Sequence, residues 1–251
     1  MNKLINAKIT KIKKWSEKLF SIRLKSSINN FIPGQFNRIV MKYDDSKETI
    51  QRAYSYVNPP NNKNIEFYIV LIPNGKLTTK LYQLKKNDIL QIYKNSFGFF
   101  TIEEIPTCEN IWMIATGTAI GPYLSILQYK KNINKKFKKI ILIYAVRYYK
   151  DLNYLKLLNK LKKKYKGKLY IQIILSREKK INTLYGRIPF LLQEKIIEKK
   201  IGVFINKDNT HIMLCGNPNM VKQTNKILVE KYFLKKNLRR EPGNITIEHY
   251  W

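Results

Sequence analysis

The stretch Ile111–Leu127, IWMIATGTAIGPYLSIL, decides how the second half of this chain is built. The apolar run Ile111–Ala115 has the length of a buried strand. A turn of small residues follows, Thr116-Gly117-Thr118-Ala119-Ile120-Gly121, and then Pro122 at the position of a first helical residue, where a missing N–H costs nothing. A strand that turns tightly into a helix offers unpaired backbone N–H groups to an anion. The spacing is a cousin of the dinucleotide fingerprint and not a match, because Ala115 stands where the first glycine belongs and the turn is longer. Taken alone, the stretch is equally a tight strand-to-helix turn that needs two glycines.

Outward from that turn, strand and helix patterns alternate. IILIYAV (140–146), LYIQIILS (169–176) and HIMLC (211–215) read as strands, and LNYLKLLNKLKKKY (152–165), IPFLLQEKIIEK (188–199) and PNMVKQTNKILVEKYF (218–233) as helices. Alternation of this kind means βαβ units on a parallel sheet, with ligands at the carboxyl ends of the strands. Before residue 100 the texture is different. Short alternating runs, AKITKIKK, LFSIRL, FNRIVM, RAYSYV, IEFYIVLI and ILQIYK, are separated by IPGQ, YDDSKE, NPPNNKN and IPNG. Such punctuation points to an antiparallel barrel or sandwich, interrupted by one helix in LTTKLYQLKK. The fold class expected is therefore two-domain: an N-terminal antiparallel β-barrel over 1–103, then a C-terminal α/β parallel-sheet nucleotide-binding domain over 104–251.

Composition narrows the function. The chain has 251 residues with only Cys108 and Cys215 as thiols and His211 and His249 as imidazoles, which fits neither a disulfide framework nor a metal site. The apolar runs are too short to span a bilayer and the N-terminus lacks a signal-peptide core, so a cytoplasmic protein, monomeric by default, is expected. The net charge of +31 is large, yet the lysines run along the whole chain instead of gathering in one element. That distribution reads as compositional drift rather than dedicated nucleic-acid binding. It still leaves a positive field that attracts acidic partners.

Against that lysine background the eight arginines are informative, since the planar guanidinium fork matches phosphate. Arg147 follows the second α/β strand, Ser176 and Arg177 follow the third, and Arg187 lies in YGRIP. Arginines at strand ends, where an acidic residue would grip the free ribose of NAD, point to a 2′-phosphate. In RAYSYVN, Arg52, Tyr54 and Tyr56 share one strand face and Ala53, Ser55 and Val57 the other, which suits either a pyrophosphate with a stacked heterocycle or a plain aromatic ladder. Lys76-Leu77-Thr78 opens a helix that could receive the same pyrophosphate, or Thr78 could merely cap it. Cys215, at the end of the last α/β strand read here, fits a place beside a cofactor ring or inside the core.

Together RAYSYVN, NGKLTTKL, ATGTAIGPYLSIL, SRE, GRIP, LCGNPNMV and the terminal EHYW resemble the bacterial-type ferredoxin/flavodoxin–NADP reductases along essentially the whole chain. The resemblance implies FAD and NADP(H) as cofactors, no metal, and electron exchange between NADP(H) and an acidic ferredoxin or flavodoxin by hydride transfer and one-electron steps. The alternatives are an NAD(P)H-dependent flavin reductase of the same superfamily and a basic nucleic-acid-binding protein. It implies an FAD site in which Arg52 meets the pyrophosphate, Ala53 and Tyr54 lie along the flavin, and Ser55 approaches its reactive nitrogen. Tyr68, Ile69, Val70 and Leu71, then Lys76, Leu77 and Thr78, complete it, with Thr118 nearby. Val146, Arg147, Ser176, Arg177 and Arg187 would hold the adenosine and 2′-phosphate of NADP, and Thr116, Gly117, Cys215, Gly216 and Asn217 the nicotinamide half. Ser55, Tyr54, Cys215 and Tyr250 are the catalytic candidates. The resemblance has Tyr250 covering the flavin, Trp251 stacking on its adenine, and Glu248 as a candidate for proton handling. Plant-type members end on the shielding tyrosine, whereas here Trp251 follows it.

Overall fold

A computed structural model describes residues 3–42, 48–129 and 133–250. They fall into two compact units: one holds the chain up to Thr101 together with Gly121–Tyr129, the other holds Ile102–Ile120 and the described chain from 133 onward.

The first unit is a six-stranded sheet. Its strands are β1 (Leu4–Lys14), β2 (Leu19–Lys25), β3 (Phe36–Lys42), β4 (Thr49–Ser55), β5 (Ile65–Val70) and β6 (Ile89–Tyr93), with helix α1 (Lys76–Gln83) between the last two. The order is β4-β3-β6-β1-β2-β5 and the paired strands run antiparallel. The two outer strands then meet: Tyr56 bridges Phe67, and Val57 N–H donates to Glu66 O at 2.9 Å. The sheet thus curls most of the way to a barrel, the usual route to removing an exposed edge. Alternation put Ala7, Ile9, Phe20, Ile22, Leu24, Ile39, Leu90 and Ile92 inside, and all are buried. Tyr56 is the hub of this core. Its ring stacks on Phe31 (3.9 Å) and Phe67 (5.4 Å), and its hydroxyl takes a 2.9 Å hydrogen bond from Asn37 Nδ2. Helix α2 (Gly121–Gln128) also belongs to this unit. Ser125 Oγ donates to Asn58 O (2.8 Å) and Gln128 Nε2 to Val57 O (2.8 Å), which supplies the carbonyls just past β4 with partners.

The second unit is a six-stranded parallel sheet. In chain order it contains β7 (Asn110–Thr116), a 3-10 turn (Gly117–Ile120), α3 (Ile133–Lys136), β8 (Lys139–Val146), α4 (Leu155–Lys164), β9 (Leu169–Leu175) and β10 (Leu184–Tyr185). It continues with α5 (Ile188–Gln193), α6 (Ile196–Ile201), β11 (Thr210–Gly216), α7 (Pro218–Tyr232) and β12 (Ile245–His249). The strand order is β10-β9-β8-β7-β11-β12. The central strands are buried along almost their whole length and apolar through their middles, as strands covered on both faces must be.

Two local expectations change, and one strand is added. IPFLLQEKIIEK is two short helices, broken where Lys195 takes the left-handed conformation (φ 54°). Pro122 is the second residue of its helix, because the Gly117–Ile120 turn already begins the coil. The added strand is β12, just ahead of Tyr250: Ile245 pairs with Ile212, Glu248 with Cys215 and His249 with Gly216.

Candidate functional site

The parallel register brings the carboxyl ends of the central strands to one edge. Thr116 lies opposite Ala145, Val146 opposite Leu175, and Gly216 opposite His249. Beyond β8 and β9 the ladder continues into the loops, with Ser176 N–H donating to Val146 O (3.0 Å) and Arg177 N–H to Arg147 O (3.1 Å). Gly186 N–H donates to Leu175 O (3.0 Å), so Arg187 leaves the same edge as the N-cap of α5. The three arginines expected at a phosphate thus share one edge of one sheet, and all three are exposed. Ser176 is partly exposed and Val146 buried.

The neighbouring strand ends are tied by backbone geometry. Thr116 Oγ1 accepts from Asn217 N–H at 2.8 Å. Asn217 Oδ1 in turn accepts from the N–H groups of Asn219 (3.1 Å) and Met220 (3.3 Å), capping α7 with Pro218 in the first turn. Gly216 has φ +141°, and a Cβ there would run into Thr116 Oγ1 and stand 3.0 Å from the Thr116 nitrogen. Gly117, at φ +58°, faces open space instead: among the described residues no atom lies within 4 Å of where its Cβ would be. A left-handed glycine beside open space at strand ends is a surface that backbone can offer to a flat ligand. Thr118 is buried in the turn. Cys215 is fully buried, and burial pushes its thiol well above the ordinary range, with the Glu248 carboxylate adding to the shift. Tyr250 follows β12 directly and is half-buried. Trp251 lies outside the described residues.

In the first unit, β4 leaves Arg52 and Ala53 exposed, Tyr54 half-buried and Ser55 buried. The Tyr54 ring leans on Phe67 at 6.1 Å, and burial raises its phenol pKa against the pull of Arg52, so the hydroxyl stays protonated and neutral. Tyr68 and Ile69 are buried, whereas Val70 and Leu71 are half-buried at the end of β5. Thr78 does not cap α1: its hydroxyl accepts from Ile72 N–H (3.2 Å), and the N-cap is Gly75, with no side-chain bond to the first turn. The amino end of α1, next to Lys76 and Leu77, therefore begins on a glycine cap. Among the described residues no cluster of three or more His, Cys, Asp and Glu could hold a metal, and no helix is long and apolar enough to cross a membrane.

Two features escaped the sequence reading. Glu178 reaches across to Tyr149 N–H (2.8 Å), and His211 anchors the start of the last strand through a 2.8 Å hydrogen bond between Nε2 and Thr246 Oγ1. Burial first, then the Lys136 ammonium, lowers the His211 pKa to about 4 from its usual 6.5, although a hydrogen bond with the Gly243 backbone favours the charged ring. The unfolded chain therefore binds this proton more readily than the folded one. The stability it contributes is complete above pH 6.5 and is lost as pH falls through about 4. Wild-type unfolding free energy should fall across that window by up to about 1.4 kcal/mol per pH unit more steeply than in His211→Gln, a difference that urea titrations at stepped pH would measure.

Comparison with known proteins places both units. Residues 6–101 match the oxidoreductase FAD-binding domain and residues 113–226 the oxidoreductase NAD-binding domain. A flavodoxin/ferredoxin–NADP reductase of Buchnera aphidicola from Schizaphis graminum is 55% identical over the full length of both chains. The enzyme of the same name from Escherichia coli is 47% identical over 98% of each. The crystal structure of a ferredoxin NADP+ reductase from Neisseria gonorrhoeae with bound FAD and NADP superposes with a TM-score of 0.92 at 29% identity, covering 99% of each chain. Full-length identity at this level, together with the strand-end and barrel geometry, shows that the chain belongs to the flavodoxin/ferredoxin–NADP reductase family.

Proposed function

We propose that this chain exchanges electrons between NADP(H) and an acidic ferredoxin or flavodoxin, with FAD seated on residues 1–103 and the dinucleotide substrate on 104–251. The observation that carries the NADP assignment is the strand-end pair Arg147 and Arg177, joined through the Arg177 N–H to Arg147 O bond. At the end of β8, Arg147 replaces the carboxylate that would grip an unphosphorylated ribose. In this reading both guanidinium groups, with Arg187, grip the 2′-phosphate, and Ser176 and Val146 border the adenosine. Thr116, Gly117, Gly216 and Asn217 shape the strand-end surface for the nicotinamide half, with the buried Cys215 behind them, and Gly117 lets the ligand approach backbone. On β4, Arg52 neutralises the FAD pyrophosphate together with the amino end of α1, while Ala53, Tyr54 and Ser55 border the flavin. When bound, FAD supplies the conversion between two-electron hydride transfer and one-electron transfer. The protein contributes alignment.

The net charge of +31 gives an acidic carrier a field to follow, so turnover with the carrier should weaken as salt shortens the Debye length. Unpaired Cys108 and Cys215 suit a reducing, cytoplasmic compartment. The test is an anaerobic titration of the purified holoprotein followed by visible absorbance. NADPH should bleach a flavin band, and the bleached protein should reduce an added ferredoxin or flavodoxin. A colourless protein that takes up no FAD would end this reading.

A further inference from the structure

The two arginine-bearing loops are tied by backbone bonds and by a carboxylate. Arg147 precedes a 3-10 turn over Tyr149–Asp151, and the N–H groups at the start of such a turn carry partial positive charge. Two carboxylates take them. Asp151 Oδ2 accepts from Tyr148 N–H at 3.2 Å within the loop. Glu178 Oε2 accepts from Tyr149 N–H at 2.8 Å from the neighbouring loop, one residue beyond Arg177. With Ser176 N–H on Val146 O (3.0 Å) and Arg177 N–H on Arg147 O (3.1 Å), the Glu178 bond is the outermost of three consecutive ties between the loops. Lys180 adds a fourth contact, its ammonium 4.0 Å above the Tyr149 ring.

From this we infer that Glu178 is a positioning residue for dinucleotide selectivity: by fastening the Tyr149 turn to the Arg177 loop it fixes the spacing of Arg147 and Arg177 for a phosphate monoester. The inference rests on the proposed NADP reading of those arginines. A carboxylate beside a phosphate site is electrostatically unfavourable, so its retention there needs its acceptor oxygen rather than its charge. That separates two variants. Glu178→Gln keeps an oxygen for the Tyr149 N–H and removes the charge, whereas Glu178→Ala removes both.

The experiment measures KM and kcat with NADPH and with NADH for wild type, Glu178→Ala and Glu178→Gln as FAD-loaded full chains. Calorimetry adds the affinities of 2′-AMP and 5′-AMP. Loss of this hydrogen bond should raise KM for NADPH roughly 5- to 10-fold in Glu178→Ala, with kcat little changed. The affinity for 2′-AMP should weaken in parallel while that for 5′-AMP stays level. Glu178→Gln should match wild type or bind 2′-AMP more tightly. If wild type prefers NADPH but the alanine variant keeps the same NADPH-to-NADH ratio and 2′-AMP affinity, Glu178 has no such role. Glutamine and alanine variants that fail alike also overturn it. A wild type with no preference for NADPH instead removes the arginine reading on which the inference stands.

Discussion

Alanine at both Arg147 and Arg177 should lower kcat/KM for NADPH by on the order of 10²–10³ while leaving NADH within about twofold. Each guanidinium can make charge-assisted hydrogen bonds to a phosphate, and such bonds contribute about 1.5–3 kcal/mol apiece. At about 1.4 kcal/mol per tenfold, two of them span 10²–10⁴. Both side chains are exposed, so solvent screening sets the lower part of that range. The loss should appear mainly in KM, because the 2′-phosphate is remote from the reacting carbon and its binding is nearly uniform along the reaction. Steady-state kinetics with both nucleotides at fixed ionic strength measures it. Equal losses with NADPH and NADH would assign the two arginines to a part of the dinucleotide common to both.

Gly216→Ala is the second large effect, and it acts first on stability. The backbone at 216 has φ +141°, which side-chain-bearing residues rarely adopt, and the added methyl meets both the hydroxyl and the nitrogen of Thr116. Strain of this kind costs about 1–3 kcal/mol, and forced repacking adds a similar amount. Pulling the strand ends apart should also break the bond from Asn217 N–H to Thr116 Oγ1, loosening the cap of α7. Chemical denaturation of the α/β unit should therefore show a loss of about 3 kcal/mol or more. Thr116→Ala should recover only part of it in the double variant, since the nitrogen clash remains. Unchanged stability in Gly216→Ala would mean the turn has a second accommodating conformation.

Most of this architecture could be read from residue patterns because each pattern had a single physical cause. The six barrel strands followed from period-two alternation, and the central parallel strands from apolar runs between helices. The last strand was missed for a related reason. Ile245-Thr246-Ile247-Glu248-His249 alternates as a strand should, but its aromatic neighbours drew it into a different explanation. IPFLLQEKIIEK carries no glycine or internal proline to announce its break at Lys195, so periodicity alone ran through it. Arg147, Arg177 and Arg187 were legible as candidates by rarity among lysines. Glu178 was not, since its role depends on a loop brought alongside by sheet register rather than by spacing. Asn217, a candidate for the nicotinamide half, has its side chain engaged in capping α7.

Helix α2 carries a consequence for synthesis. A ribosome that has released the first 101 residues has delivered every strand of the barrel, yet the carbonyls of Val57 and Asn58 still await Gln128 and Ser125. Domains tend to fold as units while the polypeptide emerges, and incompletely covered intermediates are prone to aggregate. Here the amino-terminal unit is sealed only after the first strand of the other unit has also been made, so a gene cut after Thr101 would express an unsealed product.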